Sequence, residues 1–328
     1  MKRFLLPLFL MTGACTTLTK PFLYEANLYS NRVYILGTVH GGVPMNDVPA
    51  DVLKKFDDSK NIIAEIDPER AELKENFRQQ WTREEIEIGA LLQDVQKTNP
   101  GFAKGLSQKL GIAIPTAPLI LADPPLKLSQ RLTPKAFALT QNYVGSMDLN
   151  LVEKISPGSA SRFVIETQSR EVMINKKKAQ SFDPKFSLDL NLLSRATASG
   201  KYIAQLDDDE VLSPHCRDLI DSKEIVDSFE KSTEQKLNEL DLLIDDYRSG
   251  SEERILRFTA EHGDGLNVCI LDERNQKWVP EIIKETERAG MYGSPPAFTL
   301  VGAAHLFGPQ GILELLRRAG YTVRRVQD

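Results

Sequence analysis

Arg32-Val33-Tyr34-Ile35-Leu36-Gly37-Thr38-Val39-His40-Gly41-Gly42 is the stretch on which the fold turns. β-Branched, aromatic and aliphatic residues run into Gly-x-x-His and two further glycines. That pattern predicts a buried strand that stops at a tight turn and presents an imidazole there. The chain repeats it near its other end, in Phe298-Thr299-Leu300-Val301-Gly302-Ala303-Ala304-His305-Leu306-Phe307-Gly308. There are four histidines in 328 residues, and two of them close an apolar run with the same spacing. The rest of the chain reads as the scaffold that brings these two ends together.

Working outward, residues 22–29 alternate loosely and predict a strand paired with the first motif strand through a turn at Ser30-Asn31. Beyond His40, the residues Pro44, Asn46, Asp47 and Pro49 are turn chemistry. A helix carrying Val52, Leu53 and Phe56 follows, and residues 61–68 read as the next strand. Strand, helix, strand at this spacing is a βαβ unit and implies a parallel sheet. Further strands are expected over 201–206, at the second motif and over 321–326. Helices are expected over 225–247, over 311–320, and from Glu273 through Trp278, Ile282 and Ile283. Residues 69–199 show no strand alternation. They carry leucines at helical spacing (Leu91, Leu92, Val95; Leu188, Leu192, Leu193) and frequent prolines, which suggests a helical insertion or cap. The expected fold is therefore α/β: a central, mostly parallel sheet flanked by helices, with a helical insertion covering the strand ends, in one domain over 22–328.

Hydrophobic content of 41% and charged content of 27% are those of an ordinary globular protein. The formal net charge is −5, and no basic stripe is interleaved with aromatics, so nucleic acid is not an expected partner. Residues 1–14 read as a signal peptide. Lys2 and Arg3 form its positive start, and Phe4 to Met11 is an apolar run too short to span a bilayer. Thr12-Gly13-Ala14-Cys15 resembles the lipobox of a bacterial lipoprotein. Cys15 would then be the lipidated N-terminus, residues 15–21 a tether, and the protein exported and membrane-anchored. Thr16 leans towards the outer membrane, facing the periplasm; plain secretion is the alternative. Cys216 and Cys269 could pair, but Cys269 lies in the apolar run 266–271, and the reading favours two buried thiols. Lys176-Lys177-Lys178 reads as a solvated helix face, Met45, Trp81 and Trp278 as packing, and His215 and His262 as surface residues.

In an open parallel sheet, chemistry collects at the carboxyl ends of the strands. His40, Glu65, Asp207 and His305 are each expected at or just past such an end. Two imidazoles and one or two carboxylates are the ligand set of a catalytic divalent metal. Such a metal activates water and polarises a carbonyl, which is hydrolase chemistry. The glycine three before each histidine is expected to let the backbone turn sharply. The bland alternative makes each histidine a hydrogen-bonded structural residue and Glu65 the partner of Arg70 in an edge ion pair.

The segments Tyr34–His40, Ile63-Ala64-Glu65-Ile66-Asp67, Asp272-Glu273-Arg274-Asn275, Val301–Leu306 and Gly320-Tyr321-Thr322-Val323, in this order, resemble the TraB/GumN family. That family includes the Tiki metalloproteases, and its fold is similar to the erythromycin esterase and ChaN-like heme-binding group. Asp189, in Phe186-Ser187-Leu188-Asp189, also resembles a family element. Asp207 departs from the pattern, since Leu-Glu is usual where this chain has Leu206-Asp207. The resemblance implies His40, Glu65 and His305 around Mn²⁺, Co²⁺ or Zn²⁺, with Glu273 as a further ligand or general base. It implies Arg274 as the holder of a substrate carboxylate or oxyanion, with Asn275 donating beside it. The bland reading of Glu273-Arg274-Asn275 is a helix start capped by Asp272, with a surface ion pair. The function implied is a metal-dependent hydrolase of peptidase type, with a peptide or protein as substrate. The alternatives are a heme- or peptide-binding protein without turnover, and a metal-free esterase that uses His40 or His305 as base.

Overall fold

The computed structural model describes residues 18–65, 83–110, 112–144, 147–168, 187–207, 212–261 and 267–326. The expected leader over 1–14, Cys15, Arg70, Trp81, the Lys176–Lys178 run and His262 lie outside the described residues.

Six strands form one sheet: β1 (Leu23–Leu28), β2 (Asn31–Thr38), β3 (Asn61–Ala64), β4 (Tyr202–Gln205), β5 (Ala297–Gly302) and β6 (Thr322–Arg325). Their spatial order is β4-β3-β5-β2-β1-β6. β4, β3, β5 and β2 run parallel. β1 is antiparallel to both β2 and β6, so five of the six strands point the same way. β5 is buried from Ala297 to Val301, as expected of a central strand covered on both faces. The β1–β2 register pairs Leu28 with Asn31, which places the turn at Tyr29-Ser30, one residue earlier than the sequence suggested. Tyr29 takes the left-handed conformation there, with φ of 55°.

Helix α1 (Ala50–Asp58) links β2 to β3 and buries Val52 and Phe56. Helices α2 (Arg83–Thr98), α3 (Pro100–Leu110), α4 (Leu128–Arg131), α5 (Pro134–Val144), α6 (Leu149–Val152) and α7 (Pro157–Gln168) form a module. It has its own core, built on Ile88, Leu91, Leu106, Leu128 and Phe163. Helix α8 (Leu188–Ala198) packs elsewhere: its Leu188, Leu192, Leu193 and Ala196 join the core against the sheet. Helix α9 (Pro214–Glu230) returns to the module and adds Ile225 to that core. Next come α10 (Thr233–Ser249) and α11 (Glu252–Glu261), then a π-helical turn (Val268–Asp272), α12 (Glu273–Met291) and α13 (Ile312–Arg318). α12 turns Trp278, Val279, Ile282 and Ala289 inward at helical spacing. Burial of each such large apolar side chain stabilises the fold by roughly 1.5–3 kcal/mol. No described helix is long and apolar enough to cross a membrane.

The N-terminal segment docks at the carboxyl edge of the sheet. The Leu18 amide donates to Asp47 O at 2.7 Å, and Phe22 O accepts from the Gly37 amide at 2.9 Å. At the same edge Arg325 Nη2 donates to Lys20 O at 2.8 Å. The motif glycines do not act as hinges, because neither Gly37 nor Gly302 has positive φ. Gly37 is needed for space: a Cβ there would lie 2.6 Å from Leu306 Cδ1 and 3.1 Å from the Ala303 Cα.

Candidate functional site

β2 and β5 are neighbours in register, with Thr38 opposite Gly302, so both Gly-x-x-His segments leave the same edge side by side. β3 pairs with β5 and β4 with β3, which brings Glu65 and Asp207 to that edge as well. The chain after β5 folds at once into a single 3₁₀ turn, Ala303–His305, which turns the imidazole back inward.

His40 is the exposed member of the pair, with 73% of its side chain accessible. Its Nδ1 lies 2.6 Å from Asp189 Oδ2. The hydrogen bond to this carboxylate raises the His40 pKa above its ordinary 6.5, against a smaller opposing effect of burial. Burial works against the charged form of Asp189. The hydrogen bonds from His40 and Ser187 outweigh that and hold its carboxyl below the usual range. The Ser187 hydroxyl donates to Asp189 Oδ1 at 2.6 Å, so both carboxylate oxygens are held. Asp189 sits in the first turn of α8, where the helix dipole favours a negative charge.

His305 is only 4% exposed. Asn275 Nδ2 donates to His305 O at 3.2 Å and to Gln310 O at 2.9 Å. Its Oδ1 is thereby left to accept from His305 Nδ1 at 2.8 Å, which assigns the proton to Nδ1 and leaves Nε2 bare. Burial, and after it the charge of Arg274, holds the His305 pKa well below 6.5, so the ring is neutral. Asn275 is thus the brace of His305, not a donor held free for an oxyanion.

Arg274 occupies the centre. Its Nη2 donates to Glu65 Oε2 at 2.9 Å and to Asp207 Oδ2 at 2.6 Å. Its Nη1 lies 3.4 Å from His305 Nε2. The guanidinium stacks over Trp278 at 4.2 Å, and Trp278 Nε1 donates to Asp207 Oδ1 at 2.9 Å. Glu65 Oε1 accepts from the Gly302 amide at 2.7 Å. Arg274 is 15% exposed and matched to two carboxylates, so it is neither a surface ion pair nor a free fork for a substrate carboxylate. Asp207 fills its place as the shorter acid.

Glu273 points elsewhere. Its carboxylate accepts from the Ser213 amide at 3.3 Å and lies 3.3 Å from Cys216 Sγ. It is not part of the constellation expected from sequence. Cys216 and Cys269 are buried, as expected, but they form a disulfide rather than two thiols. Their separation of 53 residues gave no hint of the pairing. Asp272 makes no side-chain cap, because the π-turn runs straight into α12.

His40, Glu65, Arg274 and His305 form the polar end of a cavity of about 410 Å³. Its other wall is apolar: Leu240 and Leu243 from α10, Ile255 and Phe258 from α11, and Ile270 and Leu271 from the π-turn. These elements, rather than any described residue of 83–199, cover the cavity. Tyr247 donates to Gly37 O at 2.8 Å and fixes α10 against the first motif.

A divalent cation would need the ligand atoms of His40, Glu65 and His305 close together. Among the described residues, the one group of three or more His, Cys, Asp or Glu whose ligand atoms lie within 4.8 Å of one another is Cys216, Cys269 and Glu273. Its two sulfurs are consumed by the disulfide. At the histidine site, a guanidinium bridges Glu65 and His305 where a cation would sit. The donor chemistry suits a metal, but the spacing and the charge at that point do not.

Sequence reasoning missed Trp278 as a site residue because its apolar spacing on α12 reads as core. It also missed the cavity wall, whose leucines and isoleucines carry no chemical signature. A family model described as TraB/PrgY/gumN family matches residues 22–325. No curated protein and no solved structure is matched by this chain.

Proposed function

From the premise that this chain belongs to the TraB/PrgY/gumN family over residues 22–325, we propose that it is a hydrolase of peptide bonds in which His40 is the general base. One observation carries the reading: the imidazole at the polar end of the cavity is held through Nδ1 by the half-buried Asp189 carboxylate at 2.6 Å. This contact orients the ring, leaves Nε2 as the proton acceptor, and raises the pKa above its ordinary 6.5, which makes the imidazole a stronger base. In the reaction, a water oxygen adds to the scissile carbonyl as its proton passes to His40 Nε2. The same proton then goes to the leaving nitrogen, the C–N bond breaks, and a carboxylic acid and an amine result; the acid then passes its proton to the amine, leaving a carboxylate and an ammonium. Asp189 stays ionised throughout and balances the imidazolium. Arg274 holds Glu65 and Asp207 as one charged unit beside His305, which stays neutral.

A second reading, a hydrolase dependent on Mn²⁺, Co²⁺ or Zn²⁺, is favoured by one feature. Both imidazoles are braced at Nδ1 by a side-chain oxygen, the arrangement that prepares Nε2 of a metal ligand. His40, His305 and Glu65 would hold the ion, which would polarise the carbonyl; Arg274 would first have to leave its place. Heme is disfavoured at His305, whose Nε2 faces Arg274. The deciding experiment is peptide hydrolysis in strong chelator. The expected result is full turnover. Loss of turnover on chelation, with recovery on adding one of the three metals, would replace the first reading by the second. Export and lipidation at Cys15 are part of the proposal on the strength of residues 1–15; loss of acyl labelling in Cys15→Ser is the expected outcome.

A further inference from the structure

We propose that the apolar half of the cavity is a specificity subsite for one bulky, uncharged side chain beside the scissile bond. This rests on the hydrolase reading above and deepens it. Six large apolar residues from three separate elements (Leu240, Leu243, Ile255, Phe258, Ile270 and Leu271) line a space of about 410 Å³, with Ile255 itself anchored in the core. Side chains around an unfilled volume forfeit dispersion contacts, and a ligand group of matching chemistry restores them. The wall is continuous with the polar end that carries His40, so a group seated on it lies next to the reacting carbonyl.

The same geometry excludes charged side chains. A lysine on this wall would lose its hydration, and the carboxylates at the polar end are already committed to Arg274 and His40. An acidic side chain would also meet the wrong sign of charge. Glu65, Asp189 and Asp207 are three carboxylates set against one guanidinium and one histidine. The structure therefore fits phenylalanine, leucine, isoleucine or methionine and rejects aspartate, glutamate and lysine.

The test separates binding from turnover. N-Phenyl-1-naphthylamine, a neutral fluorophore that brightens in apolar surroundings, is titrated into the full chain and displaced by N-acetyl amino acid amides. The phenylalanine and leucine amides are expected to displace it at concentrations about tenfold or more below the alanine amide, in line with the extra apolar area buried. The aspartate and lysine amides are expected to do no better than alanine. Leu243→Trp, which fills the space with an apolar group, and Leu243→Asn, which makes the wall polar, should each weaken fluorophore binding about tenfold or more. Both are read on protein whose melting stays cooperative, and Leu243→Trp, which keeps the wall apolar, is decisive if Leu243→Asn unfolds. Equal displacement by the leucine and aspartate amides, or unchanged binding in Leu243→Trp, overturns the subsite. Should the chain hydrolyse no peptide while the displacement order holds, the hydrolase reading falls and with it the scissile bond, and what stands is an apolar side-chain site without catalysis.

Discussion

The two Gly-x-x-His segments are alike in sequence and lie on adjacent parallel strands, yet their histidines live in opposite surroundings. His40 is exposed and paired with a carboxylate, which raises its pKa. His305 is buried, paired with an amide, set 4.5 Å from the Trp278 ring, and kept neutral by burial and by Arg274. Their glycines differ as well. Gly37 gives room to Leu306 and Ala303, whereas a Cβ on Gly302 would meet only ordinary contacts, at 3.5 Å, from Glu65 and His305. A shared spacing therefore assigns a shared location, at the carboxyl edge. The role of each residue comes from the second element that reaches it: α8 for His40 and α12 for His305.

The contrast can be broken most sharply by truncating each ring. His40→Ala should lower peptide turnover by about 10²–10⁴-fold, the usual contribution of a general base. Its stability should fall by no more than about 1 kcal/mol, since the ring is exposed but Asp189 loses one of its two partners. His305→Ala should instead cost about 2–4 kcal/mol in urea unfolding, through a cavity beside Trp278 and an Asn275 oxygen left without its donor. Similar stability losses in both variants would erase the distinction. The glycines supply the next test: Gly37→Ala should cost about 1–3 kcal/mol from overpacking, and Gly302→Ala less than about 1 kcal/mol.

pH acts on the two rings with opposite sign. His305 has a folded pKa below its unfolded value, so below pH 6.5 the unfolded chain binds the extra proton. Stability should then fall as pH drops below 6.5, by up to about 1.4 kcal/mol per pH unit, and this slope should vanish in His305→Gln. The folded pKa of His40 is raised, so its contribution is present below pH 6.5 and fades as pH climbs through the higher value. Being exposed, it should leave a small trace in stability and a clear one in activity. Turnover should rise with pH through an inflection above 6.5, because the base must be unprotonated. Asp189→Asn should move that inflection down, and this smallest effect is measured by the pH dependence of kcat/KM.

Much of this was legible in the sequence because period and punctuation are local signals. The alternation and β-branching of β1, β2, β3 and β5, the turn residues after His40, and the helical spacing on α1 and α12 all specify their elements directly. The coincidence of His40, Glu65, Asp207 and His305 at one edge follows from strand direction alone. What was not legible depends on side-chain direction across long separations. Glu273 and Arg274 are adjacent, and one residue of helical rotation sends the first to Ser213 and the disulfide and the second to Glu65 and Asp207. The π-turn before them adds a residue to the helical ladder and shifts that rotation, which no propensity reveals. The helical module was recognised as helical. That α8 belongs to the sheet's core depends on tertiary packing of leucines that look the same in either place.

The docking of residues 18–22 has a consequence for orientation. Three residue steps separate Cys15 from Leu18, and an extended chain covers at most about 11 Å in that interval. A leash acting through Cys15 would hold the molecule by the rim that carries His40, with the Tyr29 hairpin turned away at the far pole. The cavity would then open on the side of the molecule nearer the anchoring surface, favouring ligands that arrive along that surface over those diffusing in from bulk solvent.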